Sequence, residues 1–297
     1  MLPRSETADA GGLNWCFRRL GVGPRVLLIH GTGSSSLSWL AVAQRLAPHF
    51  ELLMPDLPGH GGSQGFADRR ASLPRMADAL AALLRHLGWA PVVVAGHSAG
   101  AAVMLQMVLT DRIAPAPRAL LSLNGALQPL PGLAAQVFPP LARLLARSHW
   151  LPRWAAQHAA RPASVQRLIA STGSRLDPPG VAHYQRLLSQ ESHVRGALDM
   201  MAHWQLDALR AALPRLQLPL CLAAGTADGT VPCQQSEHLA QTLSTAYYVA
   251  LPGLGHLAHE EAPQAVADVM EALWRDAQPS PRTAADTACD CPRGKAK

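Results

Sequence analysis

Apolar residues fall into two rhythms along this chain. Short unbroken runs at 26–29 (Val-Leu-Leu-Ile), 52–54, 92–95 and 120–123 read as strands buried on both faces. Between them, segments 39–46 and 73–87 repeat apolar residues at helical spacing, with Ser72 placed to cap the second and Gly88 to end it. A further strand is predicted at 13–19, preceded by a loose arm over 1–11. The same rhythm closes the chain: strand 218–224, helix 234–243, strand 246–251, helix 263–274. Strands alternating with helices predict an α/β architecture, a mostly parallel, doubly wound sheet covered on both faces.

From about 124 to 203 the alternation stops. Pro131, Pro139, Pro140, Pro152, Pro162, Pro178 and Pro179 divide this stretch into short helices, among them 141–146, 164–170 and 181–188. It reads as a helical cap, residues 125–204, inserted into one domain spanning 12–276. Residues 277–297 are polar and rich in Pro and Ala, and are expected to be a disordered tail.

Composition narrows the class. Hydrophobic residues make up 48% and charged ones 15%, a globular balance. The net charge of +6 comes from scattered arginines rather than a basic stripe with interleaved aromatics, which argues against nucleic-acid binding. Five cysteines, Cys16, Cys221, Cys233, Cys289 and Cys291, are an odd number with no zinc-type spacing. They are expected to be reduced thiols of a cytoplasmic protein. The N-terminus lacks the apolar core of a signal peptide. The apolar stretch 92–109 contains His97, Ser98, Gln106 and two glycines, so it reads as a strand and a helix and not as a membrane span.

That stretch also holds the candidate chemistry. Gly96-His97-Ser98-Ala99-Gly100 stands between a strand and a helix, the context of a nucleophile elbow. A serine hydroxyl needs a base, and the base an orienting acid. In this setting the chain order is Ser, acid, His. Asp228 follows the strand 218–224 and His256 follows the strand 246–251, so Ser98, Asp228 and His256 are the candidate catalytic residues. Backbone N–H donors for an oxyanion are expected at Ala99 and in the loop after 26–29, at Thr32 or Gly33. Gly31, Gly33, His97 and Asn124 are placed at the substrate pocket. His97 adjoins Ser98 but points elsewhere on the elbow, which suits a pocket wall better than a base. His259, followed by Glu260 and Glu261, reads as an exposed residue leading a helix. His30 and His60 form no ligand-spaced cluster, and this chemistry requires no metal and no cofactor.

His30-Gly31-Thr32-Gly33, Pro55-Asp56-Leu57-Pro58-Gly59-His60-Gly61, the elbow and the Asp228 and His256 segments together resemble the α/β-hydrolase superfamily over roughly residues 12–274. Some members keep the acid at the place of Asn124. Asparagine has no charge to stabilise an imidazolium, which favours Asp228. Further strings, Ser122-Leu123-Asn124-Gly125-Ala126-Leu127, Phe138-Pro139-Pro140-Leu141-Ala142-Arg143, Thr172-Gly173-Ser174-Arg175-Leu176-Asp177 and Gly253-Leu254-Gly255-His256-Leu257, are similar to the BchO-type accessory proteins of magnesium chelatase. The resemblance implies a serine hydrolase of carboxylic esters or related acyl compounds, serving bacteriochlorophyll synthesis near the insertion of magnesium into protoporphyrin. Its implied partners are an apolar or acyl small molecule, a porphyrin among the candidates, and magnesium-chelatase subunits. Two alternatives stay open: a non-catalytic porphyrin-binding or chelatase-assisting protein, and a cofactor-free haloperoxidase or perhydrolase using the same three residues. Segment 133–154 mixes Leu, Val, Phe and Trp with Arg143, Arg147 and Arg153. It reads as an amphipathic lid, as the wall of an arginine-rimmed apolar cavity, or as a helix in peripheral contact with a membrane surface.

Overall fold

The unbroken apolar runs form the middle of an eight-stranded sheet in the computed structural model, which describes residues 3–128 and 161–278. Helix 141–146, the arginine-bearing segment 133–154, and residues 279–297 with Cys289 and Cys291 lie outside the described residues. The strands are β1 (Ser5–Ala10), β2 (Leu13–Leu20), β3 (Arg25–Ile29), β4 (Glu51–Pro55), β5 (Val93–His97), β6 (Ala119–Leu123), β7 (Leu220–Gly225) and β8 (Ala246–Leu251). Their order across the sheet is β1-β2-β4-β3-β5-β6-β7-β8. β4, β3, β5, β6, β7 and β8 run parallel, and β2 and β1 join that edge antiparallel.

The expected loose arm is a correction, because most of it is β1. The strand makes a hairpin with β2 in which Ala10 pairs with Leu13 across Gly11 and Gly12. Both glycines have positive φ, +60° and +77°, as a two-residue hairpin turn requires. An edge strand with one covered face carries little apolar signal: in Ser-Glu-Thr-Ala-Asp-Ala only Ala10 is buried.

Described helices cover both faces. They are α1 (Leu40–Leu46), α2 (Leu73–His86), α3 (Ala99–Leu109), α4 (Pro162–Ser171), α5 (Pro178–Ser189), α6 (Glu191–His203), α7 (Asp207–Ala212), α8 (Cys233–Thr242), α9 (Ala258–Glu261) and α10 (Pro263–Asp276). The alternation of side chains along each strand divides the core. Leu27 and Ile29 of β3, Val94 of β5 and Leu120 of β6 pack with α2 and α3. Val26 and Leu28, Val93 and Ala95, and Leu121 and Leu123 pack with α1 and α10 on the other face. Helix α2 starts after Ser72, whose side chain makes no capping hydrogen bond, and Gly88 follows its end with φ +57°.

Helices α4 to α7 lie between β6 and β7, where the alternation breaks. Helix α6 escaped the sequence pattern: His193, Gly196 and Asp199 interrupt its buried face. Several contacts fasten it and α5 to the sheet domain. The Arg69 guanidinium donates to both oxygens of Asp199, at 3.1 and 2.7 Å. His193 accepts from the Gly61 N–H at Nδ1 and donates from Nε2 to the Gly33 carbonyl. His183 lies 3.1 Å from the Ser35 hydroxyl. No described helix is long and apolar enough to cross a membrane.

Candidate active site

Parallel strands present their carboxyl ends to one edge of the sheet, and loops leaving those ends carry the candidate residues. Ser98 follows β5 with φ +52° and ψ −120°, a conformation that costs a residue with a Cβ about 1–3 kcal/mol. The flanking glycines permit it. A Cβ on Gly96 would overlap the Gly100 carbonyl and the Ala101 nitrogen, and one on Gly100 would overlap the carbonyls of Ile29 and His30. The elbow is held from the next strand by the Ser98 N–H, which donates to the Leu123 carbonyl at 3.0 Å.

Ser98 Oγ is 3.0 Å from His256 Nε2, and His256 Nδ1 is 2.8 Å from Asp228 Oδ2. A carboxylate can only accept, so Nδ1 carries the imidazole proton and Nε2 is left to accept from the serine hydroxyl. The Asp228 side chain has no solvent exposure and that of His256 only 8%. Asp228 Oδ1 accepts from the N–H groups of Thr230 and Val231, at 2.7 and 2.9 Å. The second hydrogen bond to its Oδ2 comes from Asn124 Nδ2, at 2.7 Å. The structure thus brings Ser98, Asp228 and His256 into one hydrogen-bonded line.

Residues 172–174, between α4 and α5, wedge between the acid and base loops. The Thr172 carbonyl accepts from the N–H groups of both Gly229 and His256, at 3.0 and 3.1 Å. Ser174 Oγ accepts from the Leu257 N–H at 2.8 Å. Tyr184 of α5 donates to Glu260 at 2.6 Å and lies 3.3 Å from the Ser34 hydroxyl. Burial pushes Glu260 up to about 8, so it stands as a neutral acid at that contact.

The loop after β3 passes the elbow closely, since a Cβ on Gly31 would come within 2.9 Å of Ser98 Cβ. Ala99 is the first residue of α3, a position whose N–H has no acceptor within its own helix. Thr32 is partly buried and its hydroxyl donates to Met200 Sδ of α6 at 3.3 Å. Asp56 and His30 brace this loop, roles the sequence reading missed. Asp56 accepts from the N–H groups of Ser36 and Gly62, at 2.7 and 2.8 Å. His30 donates to the Gly31 carbonyl and accepts from the Leu57 N–H. The tight turns of Pro55-Asp56-Leu57-Pro58-Gly59-His60-Gly61 were the available signal.

One expectation is corrected, that for His259. His259 is not exposed: it is fully buried, with its ring 4.7 Å from Trp39 and 4.3 Å from His97. His97, expected in the pocket wall, is 2% exposed, and its Nε2 donates to the His256 carbonyl at 2.8 Å from behind. Asn124, also expected at the pocket, is fully buried with its amide turned to Asp228. In each case neighbouring elements close over a polar side chain that local sequence leaves open.

These buried histidines make the fold sensitive to acid. Burial pulls His259 down to about 3, and His183 and His193 to about 4, from an ordinary 6.5. Below pH 6.5 the unfolded chain takes up protons that the folded one refuses, so stability declines toward pH 4. His259→Leu keeps an apolar group against Trp39 and is expected to make that decline shallower. Urea unfolding across this range would measure it, and an unchanged slope would rule the assignment out.

The sequence pattern of the alpha/beta hydrolase fold matches residues 24–263, and the chain belongs to that family. It is 40% identical over 240 residues to the magnesium-chelatase 30 kDa subunit of Rhodobacter capsulatus, across 81% of this chain and 83% of the relative. It is 29% identical over 266 residues to a pimeloyl-[acyl-carrier protein] methyl ester esterase of Aeromonas salmonicida, across 85% of this chain and 96% of the relative. Among solved structures, the epoxide hydrolase CorEH superposes with a TM-score of 0.77 at 20% identity, covering 93% of this chain and 100% of that one. At that identity the likeness concerns the fold.

Proposed function

We propose that the protein is a serine hydrolase of a carboxylic ester or related acyl compound, acting beside magnesium chelatase in bacteriochlorophyll synthesis. The observation that carries the reading is the line Ser98 Oγ, His256, Asp228, with contacts of 3.0 and 2.8 Å. Ser98 attacks the acyl carbon while His256 Nε2 takes the hydroxyl proton. Asp228 holds the resulting imidazolium. The N–H groups of Thr32 and Ala99 receive the oxyanion. His256 then gives its proton to the departing alcohol, and a water repeats the cycle on the acyl-enzyme. The esterase from Aeromonas supports the reaction class, and the chelatase subunit from Rhodobacter supports the setting.

A fluorophosphonate probe, read by intact mass, tests the nucleophile. Wild type is expected to gain one phosphonyl group with loss of fluoride, and Ser98→Ala none. A folded wild type that stays unlabelled would overturn the catalytic reading. The name of the Rhodobacter relative favours a second reading, a chelatase-assisting protein that does not turn over substrate. Stimulation of magnesium chelatase that survives Ser98→Ala would decide for it.

A further inference from the structure

Asp228 is surrounded by donors. A carboxylate has about four lone-pair sites. Two on Oδ1 are filled by the N–H groups of Thr230 and Val231. On Oδ2 one is filled by His256 Nδ1–H and the other by Asn124 Nδ2–H. The backbone donors belong to the acid's own loop, and His256 is the group to be positioned. Asn124 is therefore the donor to Asp228 Oδ2 that comes from a different strand end.

Asn124 is itself fixed on several sides. It follows β6 with φ +46°, a left-handed conformation asparagine tolerates better than most residues. Its N–H donates to the Ala223 carbonyl of β7 at 2.8 Å. Its Nδ2 also lies 3.3 Å from the Gly255 carbonyl, one residue before His256. Both partners of Nδ2 are acceptors, so the amide has one workable orientation. Among the described residues Asn124 Oδ1 has no hydrogen-bond partner, as expected if the side chain is retained for its nitrogen.

We infer that Asn124 is a positioning residue for the hydrolytic site, tying the acid loop to the base loop and supplying Asp228 Oδ2 with its second donor without adding a charge. The inference rests on the hydrolase reading for its kinetic consequence, while the hydrogen-bond geometry stands apart from it. An aspartate in its place would put a second carboxyl at hydrogen-bond distance from Asp228. Two carboxylates so close cannot both ionise near neutrality, so the pair retains one proton until the pH rises. While that proton is present the new carboxyl donates as the amide does. Once it leaves, donor and geometry are lost together. The other titratable groups packed around the site are His256 itself, His97 from β5 and His259 from α9. Burial holds His97 and His259 neutral.

The test compares wild type, Asn124→Asp and Asn124→Leu with p-nitrophenyl acetate across pH, alongside low-field proton spectra of the His256 Nδ1–H. Asn124→Leu is expected to lose about 100-fold in kcat with KM little changed, the scale of a misplaced catalytic group. Asn124→Asp is expected to approach wild type in mild acid and to fall away toward alkaline pH, where wild type holds. The Nδ1–H resonance should move in both variants. A pH profile for Asn124→Asp that follows wild type, or an unmoved resonance in both variants, would overturn the inference. If wild type proves inert to the ester, the hydrolase reading fails, and the resonance still decides whether Asn124 sets the Asp228–His256 contact.

Discussion

Replacing His256 by alanine is expected to lower kcat on an activated ester by 10⁴- to 10⁶-fold, roughly the range for removing one member of such a triad. Among the described residues the imidazole is the group placed to move the Ser98 proton, since its Nε2 lies 3.0 Å from Oγ. KM should change little, because His256 is 6% exposed and offers small area to a bound substrate. Asp228→Asn is expected to cost about 10⁴-fold, because an amide N–H facing Nδ1 favours the tautomer that puts a proton on Nε2. Combining either change with Ser98→Ala should add little, as residues acting as a unit are not additive. Steady-state kinetics with p-nitrophenyl acetate measure all of these. If His256→Ala kept its rate within about tenfold of wild type, general-base catalysis by His256 would be excluded.

The second large effect is on folding. Gly100→Ala is expected to destabilise the protein by about 1–3 kcal/mol or more, the cost of overpacking a filled core. The added methyl would overlap the carbonyls of Ile29 and His30, which are backbone atoms and cannot turn aside as a side chain can. Relief requires α3 to move away from β3, and α3 is buried along most of its length. That movement would also carry Ser98 away from His256. Denaturant unfolding and probe labelling should therefore fall together. Wild-type stability in Gly100→Ala would mean that the elbow has slack the close contacts deny.

The sheet was legible because its inner strands are buried on both faces, which leaves runs such as 26–29 without a polar residue. The candidate triad was legible because each member follows a strand in the expected chain order. What escaped depends on contacts between distant segments. β1 presents alternating polar residues because it lies at an edge. His97, His259 and Asn124 are polar residues whose burial is created by neighbours from other strand ends. Asn124 and Asp228 stand 104 positions apart, and no local pattern announces that their side chains meet. The role of Tyr184 as a link between α5, Ser34 and Glu260 is hidden for the same reason.

The wedge at 172–174 bears on how this protein can be re-engineered. Insertions between β6 and β7 look like exchangeable modules, to be swapped when a new substrate is wanted. Here the segment between β6 and β7 is stitched to the loop that carries His256, because Thr172 receives the N–H of His256 and Ser174 that of Leu257. A graft that replaced the whole insertion would take away part of the mould in which acid and base are set. A productive chimera would keep the native stretch around Thr172 and Ser174 and exchange only what surrounds it.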